Sequence, residues 1–187
     1  LVDVTASVPP RPRSPFARAI YRAGQFFRGF VTDVAPDDAH AVAVLLSPEE
    51  LQLFLSQRPR DRRHSVLTMR DLERIAIAEG STPSEDLLTA ALLHDIGKGT
   101  VRVEYRVLFV LLEAVSPKLL DHFAQEHASH WRRVLWQLRH HAALSAALLT
   151  DAGSAPRVVA LTAAHHLPLS PDADPELVWL ISADESA

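Results

Sequence analysis

The chain has 187 residues, 48% of them hydrophobic, which suits one domain with a short appendage. It contains no cysteine, which excludes disulfides, thiolate metal sites and cysteine nucleophiles, so any metal must be held by histidine and carboxylate. The formal net charge of −4 and a pI near 6.2 argue against a general nucleic-acid binder.

No apolar run approaches the roughly 18 residues of a bilayer span. The longest, around Val107 to Val115, is broken by Glu113. No secretory signal is visible, so a cytoplasmic protein is the default expectation.

In chain order, Leu1 to Ser14 reads as disordered or extended, punctuated by Pro9, Pro10 and Pro12, with Pro15 next. Pro15 to Phe30 reads as a basic amphipathic helix: Phe16, Ile20, Phe27 and Phe30 share a stripe, interleaved with Arg18, Arg22 and Arg28. Such a helix either packs its aromatics on the domain or docks a membrane surface or partner. Residues 1–46 are therefore set apart as an N-terminal extension, and 47–187 as the domain. Ser47-Pro48-Glu49-Glu50 is a helix start with a capping box. Asp61 to Glu79 is the next helix, closed by Gly80. Thr82-Pro83-Ser84-Glu85 repeats the box and opens the helix that carries His94-Asp95, with Gly97 placed to end it.

Val101 to Val115 is a further helix, and Pro117 restarts the chain. Ala128 to Leu138 carries Trp131 and Trp136 as packing residues. His141 to Ala152 stops at Gly153, Pro156 to His166 follows, and Asp174-Pro175-Glu176 opens the last helix, which carries Asp184. No stretch alternates as a strand does. The expected fold is all-α, a compact helical bundle.

His94-Asp95 follows Leu92-Leu93, where an ionisable pair near a core is paired or coordinates something. His64 precedes it, and His140-His141, His165-His166 and Asp184 follow, each near an apolar helical stretch. Singly, these have plainer readings: His64 as a surface or capping histidine, the doublets as solvated helix ends. Together, neutral imidazole and carboxylate suit a divalent ion, and two ions sharing a carboxylate can hold the attacking and leaving oxygens of a phosphoryl group.

The ordered set resembles the HD superfamily of metal-dependent phosphohydrolases. The matching segments are Arg63-His64-Ser65, His94-Asp95-Ile96-Gly97-Lys98, His141-Ala142-Ala143-Leu144-Ser145-Ala146, Ala164-His165-His166 and Ile181-Ser182-Ala183-Asp184. The resemblance implies an HD-domain-like helical bundle that hydrolyses phosphomonoesters, phosphodiesters or phosphoanhydrides, on a nucleotide-like substrate. It implies His64, His94, Asp95 and Asp184 as ligands of a first metal, Asp95 as a bridge, and His141 and His165 as ligands of a second. His166 is a ligand or a neighbour that orients one, and His140 is a non-ligand. The cofactors implied are divalent ions, two in number, from among Fe, Mn, Ni, Co, Zn and Mg. Lys98 is the implied phosphate contact, with Arg102 and Arg106, one helical turn apart, as weaker candidates. Catalysis then rests on Asp95 and Lys98.

The pattern also departs from known branches. No Gly-Tyr-Pro follows the His165-His166 doublet, unlike one branch of cyclic-dinucleotide phosphodiesterases. No Glu-Asp pair follows His94-Asp95, unlike alarmone hydrolases. The spacing is more similar to small stand-alone members, dinucleoside tetraphosphate hydrolases among them. Ser145 stands where many members have glycine, and would either be harmless or narrow the site. Asp184 lies three residues from Ala187, where a ligand frays unless Leu177, Leu180 and Ile181 pack it. The competing expectation is a catalytically silent module that binds metal or nucleotide for regulation.

Overall fold

Among the described residues, proline at the first turn opens six helices, because its missing N–H would be unbonded there in any case. In the computed structural model, which describes residues 34–187, the elements are α1 (Pro36–Leu45), α2 (Pro48–Ser56), α3 (Pro59–Ala78) and α4 (Glu85–Leu93). A 3₁₀ turn (Ile96–Lys98) follows, then α5 (Val103–Val115), α6 (Pro117–Phe123), α7 (His130–Arg139), α8 (His141–Asp151), α9 (Pro156–Ala164) and α10 (Pro175–Asp184). Among the described residues there is no strand, as an all-α fold requires, and no helix is long and apolar enough to cross a membrane. The basic helix expected at Pro15 to Phe30 lies outside the described residues.

After its acidic first residues, Glu85 and Asp86, helix α4 is apolar apart from Thr89, and such a stretch is stable only when enclosed. Leu87, Ala90, Ala91, Leu92 and Leu93 are all fully buried. Helices α1, α2, α3, α9 and α10 pack around it. Each leucine so buried contributes about 1.5 to 3 kcal/mol. The carbonyls at its C-terminal end are satisfied from outside the helix. The Gln57 side chain donates to the Leu92 carbonyl at 3.3 Å, and the His94 ring bonds the Ala91 carbonyl at 2.9 Å. This buried helix therefore ends at the His94-Asp95 pair.

The sequence boundary at residue 46 is not a break in the packing. Val42 and Leu46 are buried in the same core as α4, so α1 packs with the helices that follow it. Thr82 does not open α4. Ser84 caps it, accepting the Leu87 N–H at 3.1 Å, and no box forms within the helix because its third residue is Leu87. Gly97 is not a helix stop either, since α4 ends at Leu93. A Cβ on Gly97 would lie 2.3 Å from the His141 carbonyl oxygen and 2.6 Å from the Ser145 nitrogen. Glycine is there so that α8 can lie against the turn.

Helices α5 to α7 form a separate layer. The core around α4 includes no residue between 97 and 148, and α5 contains no buried residue. Leu120 and Leu135 are buried on α6 and α7. Through α7 this layer packs on the 3₁₀ turn that follows α4, and with α5 it caps the cavity beside that turn.

Candidate metal centre

Five helices bring the ligand-type side chains together. His64 comes from α3, His94 and Asp95 from the end of α4, His141 from the first residue of α8, His165 and His166 from the end of α9, and Asp184 from the last residue of α10. His94, Asp95, His141 and His165 are buried. Three groupings have ligand atoms close enough to hold an ion: His64 with His94 and Asp184, His94 with Asp95 and His165, and His141 with His165 and His166.

Three of these histidines are oriented by one local device. The Nδ1 of His94, His141 and His165 lies 2.9, 2.7 and 2.6 Å from the backbone carbonyl three residues earlier, on Ala91, Leu138 and Thr162. An Nδ1–H donated there fixes the tautomer and turns the Nε2 lone pair inward, as ligand histidines require. His140 does otherwise. It is exposed, bonds the Trp136 carbonyl through Nδ1 and stacks on the Trp136 ring, so it stays out of the site.

Asp95 faces two ways. Its Oδ2 lies 3.5 Å from His94 Nε2 and 3.9 Å from His64 Nε2, and pairs with the Lys98 ammonium. Its Oδ1 lies 3.2 Å from His141 Nε2 and 3.9 Å from His165 Nε2. Asp184 Oδ1 lies 2.9 Å from His64 Nε2 and 3.2 Å from His94 Nε2. Asp184 is also well anchored, because Leu180 and Ala183 beside it are fully buried and α10 packs on α3 and α4.

The electrostatics follow from this crowding. Burial opposes charge on Asp95, but Lys98, His94 and His141 outweigh it and hold the carboxyl well below its usual range. Burial likewise opposes charge on Asp184, and His94 and His64 hold it low. Burial pushes His94 down, yet Asp95 and Asp184 prevail and lift it to about 9. For His165 the balance is reversed: burial, then His94 and His166, outweigh the nearby Asp95 carboxylate and drive it down to about 2, so it is neutral.

The residues fit a cation. Asp95 Oδ1 and His165 Nε2 are both buried and make no hydrogen bond of acceptable geometry among the described residues. With Nδ1–H given to Thr162, His165 Nε2 is an acceptor, so two acceptors face one another with no proton between them. That is costly unless a positive charge lies there. Donor atoms bound to one ion at about 2.1 Å sit roughly 3.0 to 3.4 Å apart, and the shorter distances here fall close to that span. Imidazole and carboxylate without thiolate suit Mn, Fe, Co, Ni or Zn better than a structural zinc site.

A family model described as HD domain matches residues 62–185, which include all six residues of the sequence-derived ligand set. The chain belongs to the HD domain family. Neither a curated protein nor a solved structure matches it. Members of the HD family are typically metal-dependent hydrolases, and this HD domain has His/Asp clusters that could hold a metal.

A cavity of about 670 Å³ opens over the ligands. Lys98 lines it. Arg106 does too, but both its terminal nitrogens bond the Asp61 carboxylate at 2.6 Å, a pairing the sequence did not signal. Arg102 is not part of the lining; it is the N-cap of α5, its backbone is extended rather than helical, so its exposed side chain does not follow the face that carries Arg106, and it pairs with Glu104. The arginines Arg60, Arg63 and Arg139 also line the cavity and were missed, since nothing distinguishes them in sequence from solvated arginines. Ser145 does not narrow the cavity. It is fully buried, and its hydroxyl accepts the Gly97 N–H at 2.8 Å.

Proposed function

We propose that this HD domain is a metal-dependent phosphohydrolase with a two-metal site, acting on a nucleotide-like phosphorylated small molecule. The observation that carries the reading is Asp95, whose two carboxylate oxygens address two different sets of ligand atoms. Asp95 Oδ2 faces His64 and His94, whose Nε2 atoms also face Asp184, and Asp95 Oδ1 faces His141 and His165, with His166 Nε2 3.0 Å from that of His141. A carboxylate so placed is suited to bridge two ions.

When bound, such ions supply a water that ionises near neutral pH and positive charge for the phosphoryl oxygens. The chain's own residues do the rest. The Nδ1 bonds of His94, His141 and His165 keep the ligand nitrogens in place. Lys98, at the cavity wall beside Asp95, offers a point charge to a non-bridging phosphate oxygen, where charge grows during hydrolysis. Leu67, Phe109, Val110 and Leu138 give the cavity apolar walls that exclude water and accept the non-phosphate part of a substrate. The volume lies within the roughly 300 to 1,000 Å³ of small-molecule sites, which supports a nucleotide-sized ligand. The net charge of −4 favours a small molecule over nucleic acid.

The test is to load the purified protein with manganese, cobalt or zinc and measure phosphate or nucleotide release across mono-, di- and anhydride substrates. Turnover that disappears with chelator supports the reading. Tight metal binding with no turnover of any phosphoester would instead favour a regulatory module that binds metal or nucleotide.

A further inference from the structure

The turn that carries Lys98 is gripped from two helices. From α8, Ser145 accepts the Gly97 N–H. From α7, the Gln137 side-chain nitrogen donates to the Gly97 carbonyl and to the Lys98 carbonyl, each at 3.1 Å. These two carbonyls belong to the peptide planes on either side of the Lys98 Cα. Because each plane is rigid, fixing both fixes the backbone dihedrals of Lys98 and the direction of its Cβ. The local sequence admits this grip. Gly99 has φ +56°, and a Cβ there would lie 2.8 Å from the Gln137 nitrogen, so a side chain at 99 would both strain the backbone and push Gln137 away.

We propose that Gln137 is a positioning residue that aims the Lys98 ammonium at the phosphate subsite and ties it to the cap helix α7. Its two amide hydrogens match two consecutive carbonyls, so no other protein donor is needed for them. Gln137 acts through Lys98, because its side-chain amide donates to the backbone carbonyls that flank the Lys98 Cα. The proposal rests on the reading of Lys98 as a phosphate contact.

The experiment is a double-mutant cycle read by binding. The full chain is loaded with manganese, and inorganic phosphate affinity is measured by calorimetry for wild type, Gln137→Met, Lys98→Ala and the double variant. Manganese affinity is measured separately. Gln137→Met keeps the side-chain length and removes both donors. It should weaken phosphate binding by roughly tenfold with little change in manganese affinity, as loss of an aimed charge-assisted bond would. Lys98→Ala should weaken it at least as much, and the double variant should be no weaker than Lys98→Ala alone, because the two residues act as one unit. A general loss of structure would instead add to the Lys98→Ala effect and lower manganese affinity. Should Gln137→Met fold poorly, Gln137→Leu removes both donors without adding charge and gives the same cycle. Unchanged phosphate affinity in the Gln137 variants, or full additivity, overturns the positioning role alone. A loaded wild-type protein that binds no phosphate overturns the hydrolase reading and this role with it.

Discussion

Asp95 is ionised in spite of its burial, because Lys98, His94 and His141 together outweigh the cost of removing its charge from water. Removing that charge leaves a ring of histidines without the group they face. Asp95→Ala is therefore expected to bring metal content, measured by elemental analysis, to background and to lower turnover by roughly a hundredfold or more. Retention of stoichiometric metal would refute its assignment as a ligand. Gly97 makes a different demand. A Cβ at this position would run into two α8 backbone atoms, which cannot rotate aside as a side chain can. Gly97→Ala should cost about 2 kcal/mol or more in chemical denaturation, and should weaken metal binding by parting Asp95 from His141. Gly80→Ala is the control. Its φ is +68° but nothing lies within 4 Å, so only the backbone strain of about 1 kcal/mol should be felt. The His94-Asp95 pair was legible in sequence because its neighbours are apolar. The role of Gly97 was not, because the backbone it accommodates lies more than 40 residues further along the chain.

Helix α4 shows how an element's start can be completed from elsewhere. In a local capping box, the cap residue's own N–H bonds a side chain three residues ahead, as Ser47 and Glu50 do at α2. At α4 that third residue is Leu87, and the Ser84 N–H is instead accepted by Glu176 of α10 at 3.2 Å. Glu176 also accepts from Arg157 of α9 at 2.8 Å, so one carboxylate joins three helices. Burial raises its pKa, but the bonds from Arg157 and Ser84 prevail and lower it. Glu176→Gln should cost about 1 kcal/mol, since the Arg157 pair is partly exposed and screened. The corresponding fall in Tm is about 2 to 4 °C for a chain of this size. An unchanged melting curve would show that Ser84 Oγ alone caps α4. Sequence reading located the start of α4 to within a few residues. It chose the wrong cap because Thr82-Pro83-Ser84-Glu85 fits a local template, while the actual partner is supplied by a later helix.

For the whole molecule, the site makes stability depend on pH when no metal is bound. His94 has a folded pKa of about 9, above its ordinary value of 6.5. It favours the folded state fully below about pH 6.5, and this support is lost as pH rises through 9. His165 is the reverse. Its folded pKa is about 2, so the unfolded chain takes up a proton that the folded chain refuses, and stability falls as pH drops below about 6.5. Asp95 and Asp184 are held low, and their contribution is lost as pH falls below the ordinary carboxylate range near 3.9. Metal-free protein should therefore show its highest Tm near pH 6.5, with a decline on both sides. A Tm that climbs steadily to pH 9 would contradict the placement of His94 between two carboxylates. Metal loading should remove the alkaline decline, because an ion replaces the His94 proton.

The sequence by itself determined that the chain is helical, where most helices begin, and which six histidines and aspartates are the candidate ligands. Helix starts are written in short-range chemistry, such as a proline at the first turn and a serine cap. The His-Asp order belongs to the chain rather than to its packing. Only the tertiary structure decided that Asp95 turns its two oxygens to different ligands, that Arg106 is held by Asp61 while Arg102 faces solvent, and that Gly97 and Gly99 admit α8 and Gln137. Each of these depends on the distance between side chains that are remote in sequence, and that distance is set by the packing of helices around α4.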